Sequence, residues 1–281
     1  MVNEKTIELC ADDFGLNPAV CRGILQLVEQ QRLSAVSCMM NSPSIKLFAP
    51  KLRPFQNTVQ IGLHFNLTEG HFLTYPQKKC FTLNELLFKS HLRLLNASFI
   101  ANEFKAQLTQ FMDLFGKKPD FIDGHQHVHQ FPMIKNVLLD LYEEHFKGSK
   151  ISVRSTTPAL SPARYQLKAQ ILALTGGQRL KLKLSERNIS HNPHFSGIYD
   201  FKQCTDYRSL FRDWLSLALP DTLIMCHPGE FEPNSDDAIA QTRHVELAYF
   251  SSNEFVADCK EYQINLATGP ASRENKGINC H

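Results

Sequence analysis

Three histidines lie close together in the segment Phe121–Pro132, which reads FIDGHQHVHQFP. His125, His127 and His129 occupy alternate positions directly after a short apolar run. Alternate residues of an extended chain point to one face, so the three imidazoles would share a face if the strand pairing continued. Packing alone explains them poorly, because each buried ring needs a hydrogen-bond partner. The pattern predicts a metal or catalytic site, although the spacing does not say which ring would bind.

Other polar and ionisable residues also follow apolar runs. They are Asp12 and Asp13 in IELCADDFG, His64 in VQIGLHFN, Arg154 in ISVRS and His227 in LIMCHPGE. In parallel α/β folds the carboxyl ends of the strands meet at one edge, and active sites lie at that edge. We therefore expect five strand ends, including the one before the histidine cluster, to deliver their side chains to one rim.

Each of these residues has a plainer explanation when it is taken alone. Asp12 or Asp13 could cap the helix that follows. His64 and His227 could be hydrogen-bonded core histidines, and Arg154 could be a structural ion-pair partner. Together, however, they provide one carboxylate and two histidines for a divalent cation, a second carboxylate as a base and a further histidine as an acid.

A set of two histidines and one carboxylate leaves other classes of protein open. A non-haem iron oxygenase uses the same ligands, but usually on a jelly-roll sheet. A non-catalytic saccharide- or metal-binding protein would need neither two adjacent aspartates nor a proton donor. Metal-dependent hydrolysis uses every residue of the set.

Short apolar runs alternate with helical patterns along most of the chain, which predicts βαβ units and a parallel sheet. About seven strands can be counted, the last of them in YQINLAT, and this favours a closed or nearly closed (β/α) barrel over an open doubly wound sheet. We expect residues 1–281 to form a single domain. Two excursions, at about 71–95 and 158–202, interrupt the alternation and are expected to cover the strand ends.

The composition is that of a globular protein, with 43% hydrophobic and 21% charged residues. A net charge of +2 provides no field that would attract nucleic acid. Because no signal-peptide pattern or membrane-spanning run is found, we predict a cytoplasmic protein with no membrane span. The eight cysteines form no C-x-x-C pair, and reduced, mostly buried thiols are expected. Homodimerisation stays open.

Four motifs resemble those of the YdjC-like carbohydrate deacetylase family, which includes chitooligosaccharide deacetylases. The motifs are ADDFGLNPAVCRGI, IGLHFNLTEG, LFGKKPDFIDGHQHVHQFP and MCHPGE, in that order over almost the whole chain. The resemblance implies a distorted (β/α) barrel related to the polysaccharide deacetylases. It also implies a divalent cofactor, Mg²⁺ or Zn²⁺, and removal of acetyl groups from N-acetylated sugars, so that the partner is a small-molecule or oligosaccharide substrate.

The resemblance also implies a role for each residue of the site. The metal ligands would be Asp13, His64 and His125. Asp12 would be the general base, His227 the proton donor and Arg154 the group that orients the base. Residues expected around the ligands or at the substrate are His127, His129, Asn66 and Glu230.

Overall fold

The structure is a computed structural model that describes residues 4–158, 165, 166, 170, 173–201, 204, 206–233 and 235–269. Its strands are β1 (Lys5–Phe14), β2 (Ala35–Cys38), β3 (Gln60–Phe65), β4 (Phe121–Gly124), β5 (Ser152–Val153), β6 (His194–Ser196), β7 (Thr222–Cys226) and β8 (Ile264–Leu266). Its α-helices are α1 (Pro18–Glu29), α2 (Ser44–Leu52), α3 (Leu83–His91), α4 (Ala97–Phe115), α5 (Ile134–Phe146), α6 (Gln178–Glu186), α7 (Tyr207–Leu217), α8 (Ala240–Ser251) and α9 (Asn253–Glu261).

All paired strands run parallel, in the order β5-β4-β3-β2-β1-β7-β6, and β8 pairs with the first residues of β1. The strands from β1 to β4 and β7 are buried almost throughout, as expected of a parallel sheet covered by helices. Near the two edge strands, Asn192 Nδ2 donates to the carbonyl oxygen of Ser155 at 2.8 Å, and Pro158 forms a bridge with Phe195. The predicted seven-stranded, distorted α/β barrel is confirmed.

The seven strands in this order are not the same seven that the sequence predicted. β6 has only three residues and lies inside the predicted excursion at 158–202, where its short run HFS gives no apolar signal. The predicted strand YQINLAT forms β8, which lies outside the seven-stranded path. Several residues of the 158–202 excursion, among them 159–164, 167–169, 171 and 172, fall outside the described part of the chain.

The predicted excursion at 71–95 contains regular structure. An antiparallel bridge joins His71 to Lys79, and α3 then begins after Thr82, whose hydroxyl accepts from the Glu85 N–H at 3.2 Å. The helix was not predicted because only two of its nine residues, Leu86 and Ser90, are buried, and its apolar periodicity is correspondingly weak. The single-domain assignment stays a prediction.

The link between β1 and α1 brings the first motif to the carboxyl edge of the sheet. Asn17 caps α1 by accepting from the Val20 N–H at 2.9 Å, and Pro18 occupies the first helical position. The cap is therefore Asn17 and not Asp12 or Asp13, which leaves both aspartates available at the strand end.

Candidate metal and catalytic site

Asp13, His64 and His125 converge at the carboxyl ends of β1, β3 and β4. Each offers one ligand atom, and these atoms lie within 4.8 Å of one another in a buried cluster. Asp13 Oδ1 lies 2.8 Å from His125 Nδ1 and 3.2 Å from His64 Nε2. Ligands about 2.0–2.2 Å from a zinc ion lie roughly 3–4 Å apart. The nitrogen, nitrogen and oxygen donors therefore fit a divalent cation in number, type and spacing.

A β-bulge explains how two adjacent aspartates reach the same cavity. Between Ala11 and Phe14, β1 advances three residues while β2 advances only two, from Val36 to Cys38. An extra residue in one strand breaks the alternation of side chains. Asp13, the residue at the bulge, has a φ of +72°, and both it and Asp12 line the same cavity.

His64 is oriented by groups behind it. Its Nδ1 lies 2.7 Å from Asp123 Oδ1 and 2.9 Å from the Ser37 hydroxyl, which itself donates to Asp123. Nδ1–H must be the donor, since a carboxylate only accepts, and this leaves Nε2 facing Asp13. Burial disfavours the charged ring, but Asp123 outweighs it and raises the pKa of His64 to about 10. A carboxylate behind a ligating histidine is the usual means of fixing its tautomer.

Arg243 holds the other carboxylate oxygen of Asp13. Its Nη2 donates to Asp13 Oδ2 at 2.8 Å and its Nε donates to Asp237 Oδ2 at 2.6 Å. Burial favours the neutral acid at Asp13, but His125 and Arg243 together keep the pKa of Asp13 well below its usual range. Oδ2 is thus occupied, and Oδ1 faces the two histidines.

Asp12 forms a bidentate ion pair with Arg154. Arg154 Nη1 lies 2.6 Å from Asp12 Oδ2, and Nη2 lies 2.7 Å from Oδ1. The same Nη2 is 2.7 Å from Asp123 Oδ2. Burial raises the pKa of Asp12, but Arg154 reverses that effect and keeps the carboxyl ionised at neutral pH. Cys10, Asp12 and Asp123 also bring possible ligand atoms together, but the cation among them is this guanidinium.

The three clustered histidines do not share a face, and this part of the prediction is wrong. β4 ends at Gly124, and residues His125–Gln130 form a tight 3₁₀ segment in which Gln126 and His127 have φ values of +51° and +60°. The end of pairing removes the two-residue alternation on which the expectation rested. His125 faces Asp13, whereas His129 Nε2–H donates to the carbonyl oxygen of Arg154 at 3.0 Å.

His127 and His129 are both buried but make different contacts. The His127 ring packs edge-on against Phe195 with centroids 5.6 Å apart and lines the cavity. His129 supports the backbone that carries Arg154 and packs close to Gly124, where a Cβ would lie 2.9 Å from the His129 nitrogen. Burial lowers the pKa of His127 well below its usual value and that of His129 to about 4.

His227 follows β7, the neighbour of β1 in the sheet, and lines the same cavity as Asp12 and Asp13. Its Nδ1 is buried and has no hydrogen-bond partner within the described ranges. Burial lowers the pKa of His227 to about 4, although Asp13 and Asp12 act in the opposite direction. Its backbone N–H donates to Glu246, which also accepts from the Tyr199 hydroxyl. Burial raises the pKa of Glu246 to about 7.

Asn66 and Glu230 lie away from the ligand cluster. Asn66 organises the turn after β3, since its Oδ1 accepts from the N–H groups of Thr68 and Glu69 at 2.9 and 3.0 Å. Glu230 forms an exposed ion pair with Arg22 at 2.5 Å. Neither residue lines the cavity in the part of the chain that the structure describes.

The ligand cluster opens into a cavity of about 1010 Å³. Asp12, Asp13, His64, His125 and His227 all reach it. Its apolar walls include Leu16, Phe131, Ile198, Tyr199, Phe201 and Met225. A volume of this size matches clefts that take small-molecule ligands.

Sequence reasoning missed the groups that hold the ligands. Asp123 and Ser37 stand inside apolar strand runs, and Arg243 and Glu246 lie on α8. The sequence does contain a pattern that could have identified Arg243 and Glu246. Positions 243, 246, 247 and 250 follow the spacing of one helix face, which is buried, and two of the four residues are charged. A charged residue on the core face of a helix needs a buried partner.

A family model described as YdjC-like protein matches residues 6–261. The chain belongs to the YdjC-like family. Two curated relatives are a chitooligosaccharide deacetylase from Yersinia enterocolitica, 34% identical over 47% of this chain and 53% of the relative, and a carbohydrate deacetylase from Xenopus laevis, 33% identical over 48% and 46%. The aligned part thus spans about half the length of these relatives.

Solved structures share the fold of this YdjC-like chain. One is a protein from Enterococcus faecalis V583 named for cellobiose-phosphate cleavage, with a TM-score of 0.71 and 21% identity over 94% of this chain and 97% of that one. Another is a peptidoglycan N-acetylglucosamine deacetylase, with a TM-score of 0.52 and 13% identity over 97% and 89%. Across the described residues, none of the helices has the length and apolar character needed to cross a membrane.

Proposed function

We propose that this protein is a metal-dependent carbohydrate deacetylase that hydrolyses the acetamide of N-acetylated sugars of the chitooligosaccharide type. The observation that carries the proposal is the cluster of Asp13, His64 and His125, which opens into a cavity beside a second, ionised carboxylate, Asp12. The names of the two curated relatives support the same reaction class.

The metal ligands in this proposal are Asp13, His64 and His125, and the cation is Zn²⁺ or Mg²⁺. Two imidazole nitrogens suit zinc better than magnesium, which prefers oxygen ligands. When bound, a divalent cation polarises the acetamide carbonyl and lowers the pKa of a water molecule. Because His64 needs a free Nε2 to coordinate, metal uptake should release a proton from this ring.

Asp12 acts as the base that takes a proton from the attacking water at one of its carboxylate oxygens. Arg154 fixes the position of that carboxylate through two contacts and keeps it ionised. The same arginine also contacts Asp123, which orients His64. The base Asp12 and the ligand His64 are therefore positioned by one network of contacts through Arg154 and Asp123.

His227 lines the same cavity and gives a proton to the leaving amine nitrogen. With a pKa of about 4 its imidazole is neutral at pH 7 before substrate binds, so the proton must reach it within the substrate complex. A purely orienting role would leave kcat independent of this ionisation. Acid catalysis instead requires kcat to fall with rising pH and His227→Gln to abolish that fall.

Two variants separate metal binding from catalysis. Asp13→Ala should lose retained metal and turnover together, whereas Asp12→Asn should retain the metal and lose about 10²–10⁴-fold in kcat. The measurements are metal content after dialysis and acetate release from diacetylchitobiose with added Zn²⁺ or Mg²⁺. Full activity in metal-free Asp13→Ala protein would refute the proposal.

The same experiment addresses the two other function classes. An iron oxygenase would consume O₂ and depend on Fe²⁺, and the parallel α/β sheet found here is not the jelly roll on which that ligand set usually lies. A non-catalytic saccharide-binding protein would bind the sugar but release no acetate, and Asp12→Asn would then change only affinity.

A further inference from the structure

A second cavity, of about 330 Å³, lies beside the first and is lined by cationic side chains. Its lining residues are Arg93, Pro132, Met133, Lys135, Asn136 and Arg179. Arg93 follows α3, Lys135 lies in the first turn of α5 and Arg179 lies in the first turn of α6. Carboxylates are missing from this lining, as far as the described residues show it.

Lys135 is the unusual member of the cavity wall. Its side chain is only 8% exposed, yet it forms no ion pair or hydrogen bond in the described part of the chain. Burial, with Arg179 and Lys183 as the charged neighbours, lowers the pKa of Lys135. A largely buried lysine that faces other cations and lacks a counter-ion is unfavourable unless an anion neutralises it.

The start of α5 adds to the positive potential. This 13-residue helix begins at Ile134 after Met133, and no side chain caps its N-terminus. The N–H groups of Ile134 and Lys135 donate to the carbonyl oxygens of Pro132 and Phe131, so the terminus contributes its helix dipole, which favours a nearby anion. The largely buried and unpaired Lys135 points to the same kind of ligand by an independent route.

The geometry points to an oxyanion site in this second cavity, where Lys135, Arg93 and Arg179 bind a phosphate-sized anion. The guanidinium groups match the paired oxygens of such an anion, and the ammonium supplies a point charge. The two cavities are lined by neighbouring residues, because Phe131 lines the larger cavity and Pro132 the smaller one. Thr175 likewise lines the larger cavity, whereas Arg179, four positions further on, lines the smaller one.

Titration calorimetry with inorganic phosphate tests this site. The full chain is first stripped of metal with a chelator, so that phosphate cannot bind to a cation at Asp13, and ionic strength is held constant. Lys135→Met keeps the aliphatic stem but removes the charge, and should weaken phosphate binding by at least about tenfold. Arg179→Gln should weaken it too and serves as the second variant if Lys135→Met does not fold.

Lys46→Gln is the matched control, because it removes one positive charge from an exposed position on α2. It should leave phosphate affinity unchanged. Phosphate should also raise the thermal midpoint of the wild type and not that of Lys135→Met. Absence of saturable binding to the wild type, or equal weakening in Lys46→Gln, would overturn the proposal.

Phenyl phosphate distinguishes the two sources of the anion. If it binds as tightly as inorganic phosphate, the site accepts the phosphate group of a larger molecule. If it binds at least about tenfold more weakly, the site is selective for a free anion. Both outcomes support the oxyanion site, provided that Lys135→Met removes the binding.

Discussion

In one group of residues, which we call the base side, Asp12 and Asp123 both contact the guanidinium of Arg154. A second group, which we call the acid side, consists of His227, Glu246 and Tyr199. There Glu246 accepts two hydrogen bonds but has no ion-pair partner among the described residues, and His227 Nδ1 has no partner in them either. The base side is thus fixed by paired charges, whereas the acid side contains a carboxyl group, that of Glu246, whose protonation can change near neutral pH.

The base side should be the more costly to disturb. Arg154→Met leaves Asp12 and Asp123 as buried carboxylates without their common cation, and should lower the free energy of unfolding by about 3–5 kcal/mol. Arg22→Met is the control, since it breaks an exposed ion pair with Glu230 and should cost no more than about 1 kcal/mol. Urea unfolding measures both. Similar losses in the two variants would mean that Asp12 and Asp123 do not depend on Arg154.

The acid side should respond to pH instead. Burial raises the pKa of Glu246 from 4.5 to about 7, so the folded protein favours its neutral form. Its contribution to stability is full below pH 4.5 and is lost as pH rises through 7. Relative to Glu246→Gln, the wild type should therefore lose about 3 kcal/mol of unfolding free energy between pH 4.5 and 7.

Urea unfolding at several pH values checks this difference, with Glu29→Gln as the control at an exposed position. The comparison with a variant is needed because His129 and His227, whose pKa values burial lowers to about 4, destabilise the fold as pH falls below 6.5. Their effect is common to wild type and variant and cancels. If the unfolding free energies of the wild type and Glu246→Gln changed equally with pH, Glu246 would not titrate in this range.

The two sides also differ in how much of them the sequence predicts. Asp12 and Arg154 on the base side follow apolar strand runs, as do Asp13, His64 and the acid-side His227, so the end of each run marked them. The acid side depends on a helix late in the chain, whose Glu246 contacts His227 from 19 positions away. No local pattern links those positions, because the contact arises only when α8 packs against the sheet.

Backbone irregularity limited the prediction elsewhere. The bulge at Asp13 and the left-handed residues Gln126 and His127 break the two-residue period from which side-chain directions were inferred. The seven-stranded α/β sheet was nevertheless predicted, since the alternation of elements survives such local changes. The regular periodicity of the sequence thus predicted the sheet and helices, whereas the site depends on backbone irregularities that this periodicity does not show.

Asp123 on the base side has several partners, so the loss of one of them should have the smallest effect on stability. Ser37→Ala removes one hydrogen bond to Asp123, but that carboxylate keeps His64 Nδ1 and Arg154 Nη2, each at 2.7 Å. The free energy of unfolding should fall by only about 0.5–1.5 kcal/mol. Ser34→Ala is the matched control, because its hydroxyl accepts from the Leu9 N–H away from the ligands.

Metal affinity distinguishes these two serine variants. Ser37 also contacts His64 Nδ1, so its loss should weaken metal binding slightly, whereas Ser34→Ala should leave metal binding unchanged. Equilibrium dialysis with Zn²⁺ measures the difference. If Ser37→Ala lost as much stability as Arg154→Met, Asp123 would depend on a single hydroxyl and the paired charges would not be what fixes the base side.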